Sequence, residues 1–497
     1  MKLRCKGVDE MKNGSRLSFF LIAVIIAVFV GRCTKTTDYE TLVTKGNFHE
    51  AEKVIMNKIA TDMTLTATDK VDLLFEVDRM RRIRLDFTKT ENEILEYVKT
   101  YLPEVTDNDL KKWEESGALE YKMIDGKKMY FNNAAANIFR IDKEAKAVKE
   151  KVVAAQAESR SIGTIAEEFP LDKHIQELSA ASVNSHRRFV KPVTMKIKYT
   201  LMVNPNVVPD GKMIRCWIPY PREIPGRQTD IKLLATQPVK YVLTDNELTK
   251  QRTIYFEKPA VKDSATNFTV EYIYTGYGVF AAIDPSKVLP TPETPEFLPF
   301  ISESAPHIVF TDELRKISST IVGDETNPYL KAKKIFAWVY ENIPWASARE
   351  YSTIYNLSMY AFENKHGDCG IQHLLFITLC RLNGIPAKWQ SGWEFQPPND
   401  SMHDWSEVYF EPYGWVPADV TYGLRETDDE TLKYFYLGGM DSYRLIFNDA
   451  ISDNFYPVKI YPRSEIVDSQ RGEVEWEGGN LYFDQWDWNM EWEVVKK

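Results

Sequence analysis

The chain has 497 residues, which corresponds to about three or four domains at roughly 100–200 residues each and excludes a single small module. Apolar residues make up 44% and charged residues 27%, a balance that excludes both a wholly disordered chain and a polytopic membrane protein. The 72 acidic residues outnumber the 62 basic ones, and the net charge of -10 argues against a nucleic-acid partner. Five cysteines are too few for a disulfide scaffold.

The amino terminus carries a segment typical of export. Residues 17–30 are apolar except for Ser18, and the basic residues Lys12 and Arg16 precede them. The apolar run is shorter than the roughly 20 residues that a membrane-spanning helix needs, but it suits the central part of a signal peptide. We therefore predict that residues 1–32 are a signal peptide and that the protein is exported to the cell envelope.

Cys33 directly follows this segment, and its surroundings resemble a bacterial lipobox, after which a cysteine receives lipid. The sequence departs from that pattern at Arg32, where a small residue is expected. We expect lipidation of Cys33 to attach the protein to a membrane, in the periplasm or at the cell surface. The alternative is an uncleaved signal anchor, which also leaves most of the chain outside the cytoplasm.

The hydrophobic periodicity along the chain predicts an α+β multidomain protein that begins with a helical domain. Residues 38–180 carry apolar side chains mostly at helical spacing. Thr90 with Glu93 forms a capping-box pattern at the start of one helix. Asp125-Gly126 is a typical hairpin turn within this region.

The period changes to two in the next region. Residues 189–283 contain short alternating runs such as Met195, Ile197 and Tyr199, separated by turn residues, and predict an antiparallel β-sandwich. Several prolines then crowd into residues 284–305, which we interpret as a stiff linker.

The carboxyl-terminal part divides into an α+β core and a β-rich tail. Residues 306–425 predict a core in which Asp368 caps a helix from Cys369 to Leu382, followed by three strands. The tail, residues 426–497, is unusually aromatic. Its aromatic side chains predict either buried strand positions, which are commoner, or a sugar-stacking platform.

Three residues of the core suggest nucleophilic chemistry. Cys369 opens the helix, His403 stands before one strand and Asp419 lies on the next. Backbone N–H groups at a helix amino terminus are expected to lower the pKa of a thiol there. A nearby histidine accepts the thiol proton and returns it to the leaving group, and a carboxylate orients the imidazole.

The sequence around these residues resembles the transglutaminase-like superfamily over roughly a hundred residues. The order of the blocks matches, with 34 residues from cysteine to histidine and 16 from histidine to aspartate; the blocks are Lys365–Gly370, Arg381–Ala387, His403–Tyr409 and Gly414–Asp419. The resemblance implies a papain-like core with Cys369, His403 and Asp419 as catalytic residues. The family usually has a small residue after the histidine, where this chain has Asp404, and strand alternation predicts that Asp404 points away from the site.

The resemblance also implies a reaction: acyl transfer from a peptide, isopeptide or amide through a cysteine thioester. A peptide or protein substrate is expected, and hydrolysis by a protease or amidase is favoured. The alternatives are a cross-linking transglutaminase and a non-catalytic surface binding protein that keeps the fold. The oxyanion of such a reaction needs the Cys369 backbone N–H and a side-chain donor, for which Trp345 and Tyr351 both remain open.

No cofactor and no metal are expected. His366 and His373 flank Cys369, but neither has a ligand partner at the spacing of a zinc site.

Overall fold

The computed structural model describes residues 38–159 and 169–495. The expected signal peptide, residues 1–32, and the expected lipidation site Cys33 lie outside the described residues. Within the described ranges, no helix combines the length and the apolar character that a membrane span requires. The architecture is α+β, with a helical amino-terminal region, a β-sandwich and an α+β core.

The amino-terminal region is built from helices and one hairpin. Its described elements are α1 (Tyr39–Thr44), α2 (Phe48–Thr61), α3 (Ala67–Asp86), α4 (Glu91–Lys99), α5 (Asp107–Ser116), β1 (Tyr121–Ile124), β2 (Lys127–Tyr130), α6 (Ala134–Ile141), α7 (Lys143–Ser159) and α8 (Leu171–Ser185). At the start of α4, the Glu93 carboxylate accepts the Thr90 backbone N–H (2.8 Å) and the Thr90 hydroxyl accepts the Glu93 N–H, which confirms the predicted capping box. Strands β1 and β2 pair around Asp125-Gly126, as predicted.

The next region has the predicted alternation of buried and exposed side chains. Its strands are β3 (Phe189–Val203), β4 (Met213–Pro219), β5 (Gln228–Gln237), β6 (Val242–Leu243), β7 (Thr253–Pro259) and β8 (Thr266–Phe280). Met195, Ile197 and Tyr199 of β3 are buried, because every second side chain of the strand faces the sandwich core.

The proline-rich segment lies along the core. It forms 3₁₀ turns at Pro285–Lys287 and Pro295–Phe297, followed by the short helix α9 (Leu298–Ile301). The Leu289 backbone N–H donates to the Glu411 carbonyl (2.9 Å), and the Phe297 ring packs 4.5 Å from the Tyr409 ring. These contacts attach the segment to the core at two points.

The core places helices against an antiparallel sheet. Its elements are α10 (Asp312–Val322), α11 (Pro328–Asn342), α12 (Leu357–Asn364), α13 (Cys369–Leu382), β9 (Ala387–Gln396), β10 (Asn399–Phe410), β11 (Gly414–Ala418), α14 (Glu430–Lys433), β12 (Gly439–Met440) and β13 (Arg444–Asn448). The sheet order is β11-β10-β9-β13. Helix α13 is buried along almost its whole length and is the centre of the largest hydrophobic cluster.

The aromatic tail completes the sandwich. Its strands are β14 (Glu473–Trp476), β15 (Gly479–Leu481) and β16 (Trp486–Val494). Strand β16 pairs with β3 and β14 pairs with β4, so that the sheets run β12-β8-β3-β16, with β5 beside β8, and β15-β14-β4-β7-β6. Trp486 is buried, and Trp488 stacks on Tyr199 (6.1 Å between ring centroids). Packing between strands therefore accounts for these two tryptophans.

The amino-terminal helical region contacts the loop between α11 and α12, ahead of the cysteine helix α13. The Asp86 carboxylate accepts the Glu350 backbone N–H (3.0 Å), and the Asn137 side-chain oxygen accepts the Ser347 N–H (3.0 Å). Residues 343–356 form this loop, and the two hydrogen bonds attach it to α3 and to α6.

Candidate active site

The first candidate residue, Cys369, opens helix α13 as the sequence predicts. The Asp368 carboxylate caps the helix by accepting the Ile371 backbone N–H (3.0 Å), and Tyr351 donates its hydroxyl proton to the same carboxylate (2.8 Å). The next residue is Gly370, and a Cβ atom there would lie 2.1 Å from the Tyr351 hydroxyl and 2.7 Å from Asp404. Glycine at this position therefore allows the loop of Tyr351 and the strand of Asp404 to pack closely against the first turn of α13.

The other two candidate residues meet on the neighbouring sheet. His403 Nε2 lies 2.8 Å from Asp419 Oδ2, and both side chains are buried. His403 lies within β10 rather than before it, and Asp419 immediately follows β11 rather than lying on it, because β11 pairs with β10 only up to Ser406↔Ala418. Among the described residues, His403 Nδ1 has no hydrogen-bond partner.

Asp419 is held in its charged form by several donors. Arg444 Nη1 donates to Oδ2 (3.1 Å), the backbone N–H groups of Thr421 and Tyr422 donate to Oδ1 (3.2 Å each), and His373 Nε2 lies 3.4 Å from Oδ1. Burial alone would raise the pKa of Asp419, but the charge of His403, the hydrogen bonds from both histidines and Arg444 lower it well below its usual range.

The surroundings of His403 shift the pKa of its imidazole upward. Burial opposes a charged imidazole, but the carboxylates of Glu394 and Asp419 outweigh it and raise the pKa of His403. An imidazolium formed by proton transfer from a thiol would therefore be stabilised at this position.

The structure corrects the expected direction of Asp404. Its carboxylate points toward the cysteine, with Cys369 Sγ 3.3 Å from Asp404 Oδ2. The reason is that α13 packs its first turns on the face of β10 that carries Asp404 and Ser406: His373, one turn after Cys369, hydrogen-bonds through Nδ1 to Ser406 Oγ (2.7 Å). Among the described residues, no hydrogen bond joins Cys369 to His403.

The thiol pKa also differs from the expectation based on the helix terminus. Burial, together with the carboxylates of Asp404 and Asp368, raises the pKa of Cys369 well above its usual value, although the Asp404 backbone N–H acts in the opposite direction. Burial first, and the two neighbouring carboxyl groups second, therefore oppose ionisation of the thiol at this helix end.

The cysteine opens into a cleft of about 270 Å³. Trp345, Tyr351 and Asp404 line it, together with residues 468–472. Both side chains that the sequence left open as oxyanion donors therefore line this cleft. His366 does not line it, and the described residues contain no group of three or more metal-ligating side chains that could hold a metal ion.

The sequence of residues 315–420 matches the transglutaminase-like superfamily. These residues form a transglutaminase-like domain. The match spans the helix of Cys369 and the strands that carry His403 and Asp419, and it confirms the resemblance found in the sequence. The rest of the chain lies outside it.

Several known proteins are similar to parts of this chain. The uncharacterized protein YebA of Bacillus subtilis is 25% identical over 131 residues, which are 23% of this chain and only 18% of YebA. The crystal structure of a candidate cysteine protease from Cytophaga hutchinsonii is similar at 16% identity and a TM-score of 0.44, covering 62% of this chain and 93% of that one. The periplasmic domain of TgpA from Pseudomonas aeruginosa is similar at 11% identity and a TM-score of 0.25, covering 52% and 95%.

Several residues around the transglutaminase-like domain were missed by sequence reasoning. Arg444 and Gln470 lie beyond its matched range and come from β13 and the segment before β14. Gln470 Nε2 donates to Asp404 Oδ1 (2.8 Å) and to the His403 carbonyl (3.0 Å). His373 was weighed only as a metal ligand. Its position four residues after Cys369 was the available signal, since i and i+4 share a helix face.

Proposed function

We propose that this protein is an exported cysteine enzyme that hydrolyses peptide, isopeptide or amide bonds through a thioester on Cys369. One observation carries the proposal: Cys369 opens a helix in an accessible cleft, and the strand beside it carries His403 with its Nε2 fixed by Asp419 at 2.8 Å. With Nε2 occupied, only Nδ1 of His403 is available to exchange a proton with the sulfur.

Acylation follows from this arrangement. His403 Nδ1 takes the proton of Cys369 as the sulfur attacks the substrate carbonyl, so that the S–H bond breaks, the C–S bond forms and the carbonyl oxygen becomes an oxyanion. Asp419 stabilises the imidazolium through Nε2. The intermediate collapses when the C–N bond breaks and His403 returns the proton to the departing amine.

Deacylation repeats the same steps with water. His403 takes a proton from water as the water oxygen attacks the thioester, the C–S bond breaks, and His403 returns the proton to the departing sulfur. The products are the carboxylic acid and the regenerated thiol. An amine that reaches the thioester before water would instead form a new amide, which is the cross-linking alternative.

The oxyanion needs donors that are free to point at it. The Tyr351 hydroxyl already donates to Asp368 (2.8 Å), whereas the Trp345 indole N–H has no acceptor among the described residues. Trp345 is 42% exposed and lines the cleft. We therefore assign the side-chain donor to Trp345, beside the Cys369 backbone N–H.

The place of action rests on the sequence. The basic and apolar residues ahead of Cys33 support export, and lipid on Cys33 would keep the enzyme at the cell envelope. Envelope peptides and proteins are then the accessible substrates.

A peptide-library digest read by mass spectrometry tests the proposal. Wild type and Cys380→Ala should release the same products, because Cys380 is a buried core residue of the same helix, whereas Cys369→Ala should release none. Parallel digests with an added primary amine distinguish hydrolysis from transfer by the mass of the product. Peptide binding that is unchanged in Cys369→Ala, with no turnover by wild type, would favour the non-catalytic binding protein.

A further inference from the structure

Glu394 is a second carboxylate beside His403, in addition to Asp419. On the paired strands, His403 of β10 lies opposite Gly392 of β9, and Glu394 comes two positions further along β9. Side chains two positions apart on a strand point to the same face of the sheet, so this register places Glu394 diagonally next to the imidazole. Glu394 Oε2 lies 3.8 Å from His403 Nε2, and the Glu394 side chain is only 17% exposed.

This oxygen of Glu394 has no other role in the fold. Oε2 is buried and has no hydrogen-bond partner among the described residues. Arg444 Nη1 lies 3.5 Å away, and a guanidinium at this distance favours the charged form of a carboxyl group. A buried charged oxygen without a hydrogen bond is unfavourable, and a positive charge on the neighbouring His403 would compensate it.

The charges around His403 do not balance while its imidazole is neutral. The Arg444 guanidinium lies close to three carboxylates, those of Asp419 (3.1 Å), Glu394 (3.5 Å) and Asp441 (2.8 Å). Burial opposes the charge of Asp441, but Arg444 outweighs it and lowers the pKa of Asp441. One positive charge therefore faces three negative ones, and an imidazolium at His403 would supply a second positive charge.

The other groups around the imidazole do not supply that charge. Titratable and charged side chains face or flank His403 from each element packed against it; they are Glu394 of β9, Asp404 of β10, Asp419 and Tyr422 after β11, Arg444 of β13 and His373 of α13. Burial lowers the pKa of His373 and raises the pKa of Tyr422, so both are neutral near pH 7. Arg444 is therefore the one fixed cation in this set.

We propose that Glu394 is a positioning residue that acts through His403: its carboxylate, as a second anion beside the imidazole, makes His403 a stronger base toward the Cys369 thiol. The proton transfer from sulfur to nitrogen rests on the function proposed above. In that step the S–H bond breaks and an N–H bond forms at His403 Nδ1, while Glu394 neither gains nor loses a proton.

A stronger base suits a thiol that is difficult to ionise. Burial raises the pKa of Cys369, and the free energy needed to move a proton from the thiol to an imidazole grows with the difference between their pKa values. Although burial opposes it, the Glu394 and Asp419 carboxylates raise the pKa of His403 and so narrow this difference. The same change has a consequence at low pH, where a more basic imidazole is already protonated and cannot accept the thiol proton.

Nuclear magnetic resonance of His403 tests this role without a substrate. The full chain is prepared with histidine labelled with carbon-13 at Cε1, and the signals of its seven histidines are followed from pH 4 to pH 10 in each variant. The signal that is missing in His403→Ala identifies His403. Glu394→Gln keeps the shape of the side chain and removes its charge. Glu144→Gln is the control, since it removes the same charge from a side chain that is 87% exposed on α7.

The midpoint of the His403 titration should fall by about 1 pH unit in Glu394→Gln and stay at the wild-type value in Glu144→Gln. Glu394→Asp, whose carboxylate is one methylene shorter, should lower the midpoint by less. An unchanged or higher midpoint in Glu394→Gln overturns the proposal. If circular dichroism shows that Glu394→Gln is unfolded, Glu394→Asp decides by the same criterion.

Turnover of a peptide substrate separates this role from the proposed function. In Glu394→Gln, the plateau of kcat/KM should fall by about 3- to 10-fold, and the decline of kcat/KM at low pH should move to lower pH. A merely structural role would lower the plateau without moving the decline. If the midpoint moves but wild type turns over no substrate, the proposed function fails while the role of Glu394 stands. If turnover requires Cys369 and the midpoint does not move, only the role of Glu394 fails.

Discussion

His403 Nε2 and Asp419 Oδ2 lie 2.8 Å apart in a buried setting, and Arg444 donates to the same carboxylate oxygen from 3.1 Å. The carboxylate is thereby kept ionised, and its hydrogen bond occupies Nε2, so that Nδ1 is the His403 nitrogen without a partner among the described residues. The orientation of the imidazole is therefore set by residues from three strands or their ends: β10, β11 and β13.

We expect His403 and Asp419 to act as a unit, so the losses of activity caused by replacing each of them should not add. His403→Ala should abolish nearly all turnover, and Asp419→Asn should lower kcat by up to about 10⁴, the cost of removing an orienting acid in a comparable site. The double variant should be no slower than His403→Ala alone. Steady-state kinetics on one peptide substrate, with circular dichroism to verify folding, provide the measurement. Multiplicative losses in the double variant would show that the two residues act separately.

Trp345 offers a test of transition-state stabilisation. Trp345→Phe keeps an aromatic ring at the cleft but removes the indole N–H, and should lower kcat by about 10²–10³ with KM little changed. Tyr351→Phe is the informative comparison, since that hydroxyl already serves Asp368. A larger loss of kcat in Tyr351→Phe than in Trp345→Phe would reverse the assignment.

Glu465, which lines the cleft, is expected to make the stability of the protein depend on pH. Burial, with Asp468 and Glu350 nearby, raises the pKa of Glu465 to about 8. The folded protein therefore binds this proton more tightly than the unfolded chain, and stability falls as pH rises from about 4.3 toward 8.

Glu465→Gln removes this penalty. Between pH 5 and 8, the free energy of unfolding of the variant should gain at least about 1 kcal/mol relative to wild type, as one pKa unit corresponds to about 1.4 kcal/mol. Urea denaturation at the two pH values measures the difference, and the exposed Glu477→Gln is the control. A gain of equal size at both pH values would show that the proton on Glu465 is not the cause.

The proposed lipid on Cys33 makes a prediction about membrane attachment. Cys33→Ser should move the protein from the membrane fraction to the soluble fraction of an exporting bacterium, because lipid can no longer be added. An unchanged membrane fraction would instead support an uncleaved signal anchor, and retention in the cytosol would contradict export.

The parts of the site that sequence reasoning found are those with local signals. The helix of Cys369 was predicted from its Asp368 cap and apolar repeat, and the strands of His403 and Asp419 from short turns and family spacing. These signals operate within a few residues along the chain, so they place elements but not the packing between them.

The remaining residues reach the site from far along the chain. Gln470 contacts Asp404 across 66 positions and Arg444 contacts Asp419 across 25. The direction of Asp404 was predicted from strand alternation alone, whereas the position of α13 against β10 decides which face of the strand meets the thiol. The pairing of β16 with β3 was likewise not apparent, because the two strands are far apart in the sequence: Lys198 of β3 and Glu491 of β16 are 293 positions apart.

The most direct test of the account is covalent capture of the nucleophile. A library of peptidyl acyloxymethyl ketones, which alkylate cysteines that are activated as nucleophiles toward a bound carbonyl, is reacted with wild type, Cys369→Ala and His403→Ala, and the modified residue is mapped by mass spectrometry. The account predicts one adduct on Cys369 in wild type, none in Cys369→Ala and strongly reduced labelling in His403→Ala. An adduct on Cys216 or Cys380, or equal labelling of Cys369 with and without His403, would contradict it.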